Sequence, residues 1–122
     1  MYYKQETGKL GEDEAEKYLI KNNYEMIERN FRCRFGEIDM IAKDLNKKEM
    51  VFIEVKTRNN KAYGVPAEAV NFYKRKHIIK SAKYFIRINK LEDEYIRIDV
   101  IEVYVSKNAA CKINHIEQAF YE

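Results

Sequence analysis

Two stretches of the chain, Gly36-Glu37-Ile38-Asp39-Met40-Ile41-Ala42 and Met50-Val51-Phe52-Ile53-Glu54-Val55-Lys56, follow the period of two expected of strands, and the polar link from Asp44 to Glu49 supplies a turn about Asn46 and Lys47. One register satisfies both strands. Ile38, Met40 and Ala42 then oppose Val55, Ile53 and Val51 on an apolar face, while Glu37, Asp39 and Ile41 oppose Lys56, Glu54 and Phe52 on the other. Before this hairpin, Leu10, Ala15, Tyr18 and Leu19 recur at helical spacing, which predicts a helix over residues 5–23 ended by Asn22-Asn23, followed by a strand over 24–33. After it come turn residues over 59–66, a long helix over 68–89, a strand over 95–105 and a short edge strand over 111–116. The order helix, three strands, helix, strand predicts an α/β domain with a central sheet flanked by helices.

The second face of the hairpin carries the candidate chemistry. Two ionised carboxylates at Asp39 and Glu54, about 5 Å apart across a strand pair, repel by roughly 3 kcal/mol at an effective dielectric of about 20. Such a pair calls for a shared proton or a cation. Lys56 supplies one positive charge on the same face. A hard divalent ion would supply more, because Mg²⁺ prefers carboxylate oxygens and keeps waters for chemistry. The same residues also fit a wet face with ordinary surface charges, although Phe52 and Ile41 on that face argue for partial cover.

The 122 residues, 46% hydrophobic and 35% charged, suit one globular domain spanning 1–122. The run from 1 to 9 is polar and lacks the apolar core of a signal peptide, and no apolar stretch approaches membrane-spanning length, so the cytoplasm is the expected location. Cys33 and Cys111 form no CxxC spacing and read as free thiols, and His77 and His115 are isolated, which argues against a zinc site. The net charge of +3 is small, but its distribution is uneven. Lys56, Arg58 and Lys61 leave the hairpin, and further lysines and arginines line the second helix. Glu12 precedes Leu19 by seven residues and so shares its helix face, although Glu16 fits nearly as well and both complement the helix dipole. Lys74 falls between Val70 and Ile78 in an apolar stripe, the position of an inward-reaching or a snorkelling lysine.

Glu12 on an opening helix, Gly36-Glu37-Ile38-Asp39 and then Glu54-Val55-Lys56 resemble the PD-(D/E)XK nuclease superfamily, which shares a helix acid, a strand aspartate and an acid-x-lysine. A wider string adds Gly11-Glu12, Tyr18-Leu19, Glu28-Arg29-Asn30-Phe31-Arg32, Val51 through Arg58, Gly64-Val65-Pro66 and Arg97-Ile98-Asp99-Val100-Ile101. With these, the chain is similar to the YraN-like family of small bacterial proteins, over residues 8–103. That resemblance implies a restriction-endonuclease-like αβββαβ core with a mixed sheet, and kinship with archaeal Holliday-junction resolvases. It implies a Mg²⁺-dependent (or Mn²⁺-dependent) endonuclease acting on DNA, with a preference for branched or structured DNA carried by analogy alone. By the resemblance Asp39, Glu54 and Glu12 hold the metal, Lys56 is the motif lysine, and Arg58, Lys61 and Lys74 contact the phosphate backbone. Ile38 stands where the superfamily name has proline. A junction has two equivalent strands to cut, so that activity further implies a homodimer. The alternatives are a non-catalytic nucleic-acid-binding or adaptor domain on a nuclease scaffold, and a protein-interaction module. Asp99 reads as a structural ion-pair residue.

Overall fold

The computed structural model describes residues 2–59, 72–107 and 109–120, with side chains described over 8–59, 72–107 and 112–120. Helix α1 (Tyr2–Lys21) ends where the asparagine pair predicts. Asn22 Nδ2 donates to the Tyr18 carbonyl at 2.8 Å, and Asn23 adopts φ +69°, a left-handed turn that asparagine tolerates. The chain passes straight into β1 (Tyr24–Cys33), β2 (Gly36–Asp44) and β3 (Glu49–Asn59). Asp44 closes the β2–β3 turn by accepting hydrogen bonds from the Asn46 and Lys47 amides at 3.0 and 3.1 Å.

The second helix, α2 (Phe72–Ile88), lies within the range expected from the sequence, and the expected start near residue 68 falls outside the described residues. Strands β4 (Tyr95–Ser106) and β5 (Ala109–Ile116) complete a five-stranded sheet in the order β1-β2-β3-β4-β5. The β3–β4 pair is parallel and the others antiparallel, so the sheet is mixed, with α2 on the crossover that a parallel pair requires. This α/β arrangement is consistent with a restriction-endonuclease-like core.

The helices cover opposite faces. Ala15 and Leu19 of α1 pack on Met40, Val51, Ile53 and Ile101, and Ala82 and Phe85 of α2 pack on Phe31, Ile41 and Phe52. The charged face of the hairpin is therefore the one that α2 covers. Among the described residues no helix is long and apolar enough to cross a membrane.

The expected hairpin register holds at Ala42↔Val51, Ile41↔Phe52 and Met40↔Ile53, and the ladder then stops one pair short of Asp39 and Glu54. Beyond that point β2 stays paired with β1 as far as Gly36, and β3 stays paired with β4 as far as Asn59. Each strand follows a different neighbour, and sheet twist parts them into a fork. Three expected pairings, Asp39 with Glu54, Ile38 with Val55 and Glu37 with Lys56, are thus absent from the ladder, and Ile38 packs with Phe31 on the α2 side.

Candidate functional site

The fork leaves the Val55 amide without a strand partner, and Asp39 Oδ2 accepts its hydrogen bond at 2.8 Å. One strand's carboxylate is thereby anchored to the other strand's backbone. Glu54 projects from β3 onto the same side, 5% exposed, with Lys74 Nζ of α2 at 2.5 Å from Oε2. Gly36, Glu37, His77 and Ile78 join these three residues around an open depression of about 270 Å³. Gly36 has φ +142°, a conformation that favours glycine, and a Cβ there would lie 3.4 Å from the His77 Cβ. That is an ordinary contact distance, so the backbone conformation, and not the approach of α2, calls for glycine here.

Burial pushes the Asp39 carboxyl up to about 8, the Glu54 charge adds to the rise, and the Val55 amide opposes it. Glu12 contributes a further negative field at Asp39. Burial lowers the affinity of Lys74 for its proton, but its hydrogen bond to Glu54 outweighs this and holds the ammonium above its ordinary value. The depression thus contains a carboxylate pair that shares a proton or takes a cation, and one ammonium already in place.

The other expected residues divide. Glu12 is held outside the depression by Arg29 Nη2 at 3.1 Å and Asn30 Nδ2 at 3.3 Å, and it acts on Asp39 through its field. Arg29 also binds Asp13 and Glu16, each at 2.9 Å, so one β1 arginine gathers three acids of α1. Lys56 is half-buried on the Glu54 side of β3, with no ion pair or hydrogen bond to its ammonium among the described residues. Arg58 Nε pairs with the buried Glu102 at 2.8 Å, which leaves only its other N–H groups for a phosphate. Lys61 lies outside the described residues. His77, which sequence reasoning set aside, lines the depression, and its position three residues after Lys74 is the signal that could have found it.

Among the described residues no three Asp, Glu, His or Cys side chains gather closely enough to cage an ion by themselves. Asp39 and Glu54 offer two carboxylates, a set that fits a hard cation taking its remaining oxygens from water and substrate.

Asp99 belongs elsewhere, as its reading as an ion-pair residue anticipates. At the far end of the sheet Arg97 binds Asp99 at 2.9 Å, Asp44 at 2.9 Å, Glu49 at 2.8 Å and the Tyr24 hydroxyl at 2.6 Å. His115 Nε2 lies 2.6 Å from Asp99 and its Nδ1 lies 2.9 Å from the Tyr18 hydroxyl, so strand β5 and helix α1 join the same network.

Comparison with known proteins gives one consistent result. The sequence model of "Uncharacterised protein family UPF0102" matches residues 11–103, a span that holds Glu12, Asp39, Glu54, Lys56 and Lys74. A UPF0102 protein of Caldicellulosiruptor bescii is 49% identical over 117 residues, covering 94% of this chain and 97% of the relative. One of Caldanaerobacter subterraneus is 44% identical over 119 residues, with 96% of each covered. Another, of Clostridioides difficile, is 46% identical over 115 residues, covering 94% of this chain and 96% of the relative.

Proposed function

The chain belongs to the UPF0102 family, and on that footing we propose that it is a metal-dependent endonuclease that hydrolyses phosphodiesters in DNA, with branched or structured DNA as its substrate. The observation that carries this reading is the fork, which brings Asp39 and Glu54 together at a depression under a cationic helix, with Lys56 two residues beyond Glu54. The resemblance of this set to the PD-(D/E)XK nucleases supports it, and the substrate geometry rests on analogy with junction resolvases.

Asp39 and Glu54 would hold Mg²⁺ or Mn²⁺, which when bound supplies an activated water and neutralises charge developing on the phosphate. The remaining work falls to the protein's own groups. The Val55 amide holds Asp39 Oδ2 at the edge of the depression. Glu12, held by Arg29, deepens the negative field that draws a cation in. Lys56, two residues beyond Glu54 on the same strand face, would orient the attacking water or hold a phosphoryl oxygen. Lys74 occupies Glu54 in the resting protein and can move to a phosphate when a cation replaces it.

A second reading, a nucleic-acid-binding or adaptor domain without turnover, draws on Lys74, which already neutralises Glu54, and on the lack of a three-ligand cage among the described residues. The test is incubation of the protein with labelled linear, flapped and four-way DNA in Mg²⁺, Mn²⁺ or EDTA. Asp39→Asn and Glu54→Gln should lose metal-dependent cutting and keep DNA binding. Binding without cutting by the wild-type protein supports the adaptor instead.

A further inference from the structure

Helix α2 spans 17 residues with six lysines and arginines and no acid, so the rest of the chain, whose total is +3, sums to −3. No acid offsets the six positive charges of this one element. Its exposed positions at helical spacing include Tyr73, Lys76, Lys80, Lys83 and Arg87, with the half-buried Tyr84 beside them. At the start of the helix Phe72 and Tyr73 stand 64% and 75% exposed, and Lys76 Nζ lies 4.6 Å from the centre of the Phe72 ring.

Farther along, Phe35 of the β1–β2 turn meets Tyr84 edge-to-face, with ring centres 6.1 Å apart. Arg34 lies over Phe35 at 4.8 Å and Arg87 over Tyr84 at 5.7 Å. Phe35, Tyr84, Lys80, Lys83 and Arg87 together line a second depression of about 220 Å³. None of the packing that holds α2 to the sheet uses this outward charge. Ile78, Ala82 and Phe85 are buried on the opposite side, and Tyr84 and Ile86 pack partly against the same core.

We infer that this face of α2, with Phe35, is a track for a single-stranded segment of nucleic acid, its bases stacking on Phe35 and Tyr84 and its phosphates held by Lys80 and Arg87. The inference rests on the reading above that the substrate is a nucleic acid, and narrows it to one with unpaired bases. A patch of charge alone would suit a duplex, whose bases face inward. Half-buried rings beside guanidinium planes, with Phe72 and Tyr73 exposed at the start of the same helix, suit bases that are free to stack, and they do so without regard to sequence. Tyr84 follows His77 of the carboxylate depression by two helical turns, about 10 Å along the axis, so a strand on the track leads directly to the fork.

Binding is measured by fluorescence polarisation of a labelled oligothymidylate in EDTA, which separates the track from any cleavage. Tyr84→Leu and Phe35→Leu are each expected to weaken binding roughly tenfold, because each removes a stacking ring. Tyr84→Phe keeps the ring and should keep the affinity. Lys80→Gln with Arg87→Gln should flatten the dependence of affinity on salt, and this pair tests the track even if a leucine variant fails to fold. Unlabelled oligothymidylate should displace the probe better than blunt duplex or polyglutamate does. Leucine variants that fold and bind as tightly as the wild type would overturn the inference, as would displacement by duplex or polyglutamate at equal concentration. Ring-dependent binding without cleavage in Mg²⁺ supports the track while removing the nuclease.

Discussion

Gly8 and Gly11 occupy the same face-forming stretch of α1, and the same substitution at each should change stability in opposite directions. At Gly8 an added methyl meets nothing within 4 Å, so Gly8→Ala has only the helix-propensity term, a gain of about 0.5–1 kcal/mol. At Gly11 the methyl would sit 2.0 Å from Thr57 Oγ1, 3.2 Å from Thr57 Cβ and 3.4 Å from Cγ2. Rotating the threonine relieves the first contact and leaves the second, and a β-branched side chain in a strand has few rotamers to offer. Overpacking of this kind costs about 1–3 kcal/mol. Set against the same propensity gain, Gly11→Ala should lose about 1 kcal/mol, or about 4 °C in Tm, where Gly8→Ala gains a few degrees. Thermal unfolding in EDTA by circular dichroism reads both. Thr57→Ala removes Oγ1 and Cγ2 and leaves only the 3.2 Å contact with Cβ, so the double variant should recover part of the Gly11→Ala loss, a coupling that a purely local helix effect would not show. Equal rises in Tm for Gly8→Ala and Gly11→Ala would refute the close seating of α1 on β3. The contact matters to the site, since Gly11 adjoins Glu12 and Thr57 adjoins Lys56.

Arg97→Met strands the carboxylates of Asp99 and Asp44, both buried, and should cost about 3–5 kcal/mol in urea unfolding; a loss under 1 kcal/mol would mean that the network adds little. Burial alone would raise Asp99 and Asp44, but hydrogen bonds from His115 and Arg97 to the first, and from the Lys47 amide and Arg97 to the second, outweigh it and hold both below the ordinary aspartate value. Their contribution is therefore complete above about pH 4 and lost as pH falls through their folded values, so wild-type Tm should drop steeply there and the Arg97→Met variant less so. Lys74→Ala leaves Glu54 without its ammonium, so the variant should melt lower in EDTA and gain more from added Mg²⁺ than the wild type; a smaller gain would show that Lys74 assists the ion.

The hairpin was legible in the sequence because parity is a local property: Asp39 and Glu54 had to share a side once Met40 and Ile53 were paired. Parity does not say where a ladder ends. The fork depends on β1 and β4, whose pairing with β2 and β3 is set by contacts distant in sequence. The same limit explains Arg58, whose partner Glu102 arrives on a parallel strand 44 residues later. Arg29 was visible as a basic residue before the hairpin, but its grip on three acids of α1 needed the helix to be docked. His77 was overlooked because a lone histidine on a helix usually faces solvent, and its place beside the carboxylates follows from how α2 docks over the fork. Asp99 was read as structural, and the density of its partners bears that out.

Arg97 draws β1, β2, β3 and β4 together at one end of the sheet, while the seam between β2 and β3 lies open at the other. The sheet is pinned where nothing reacts and unfastened where the carboxylates sit. Thermal breathing should concentrate at the open seam, so amides around Asp39 and Val55 should exchange with deuterium sooner than those beside Arg97. A cation bridging Asp39 and Glu54 would then be a staple across that seam, a missing stitch of the fold supplied from solution.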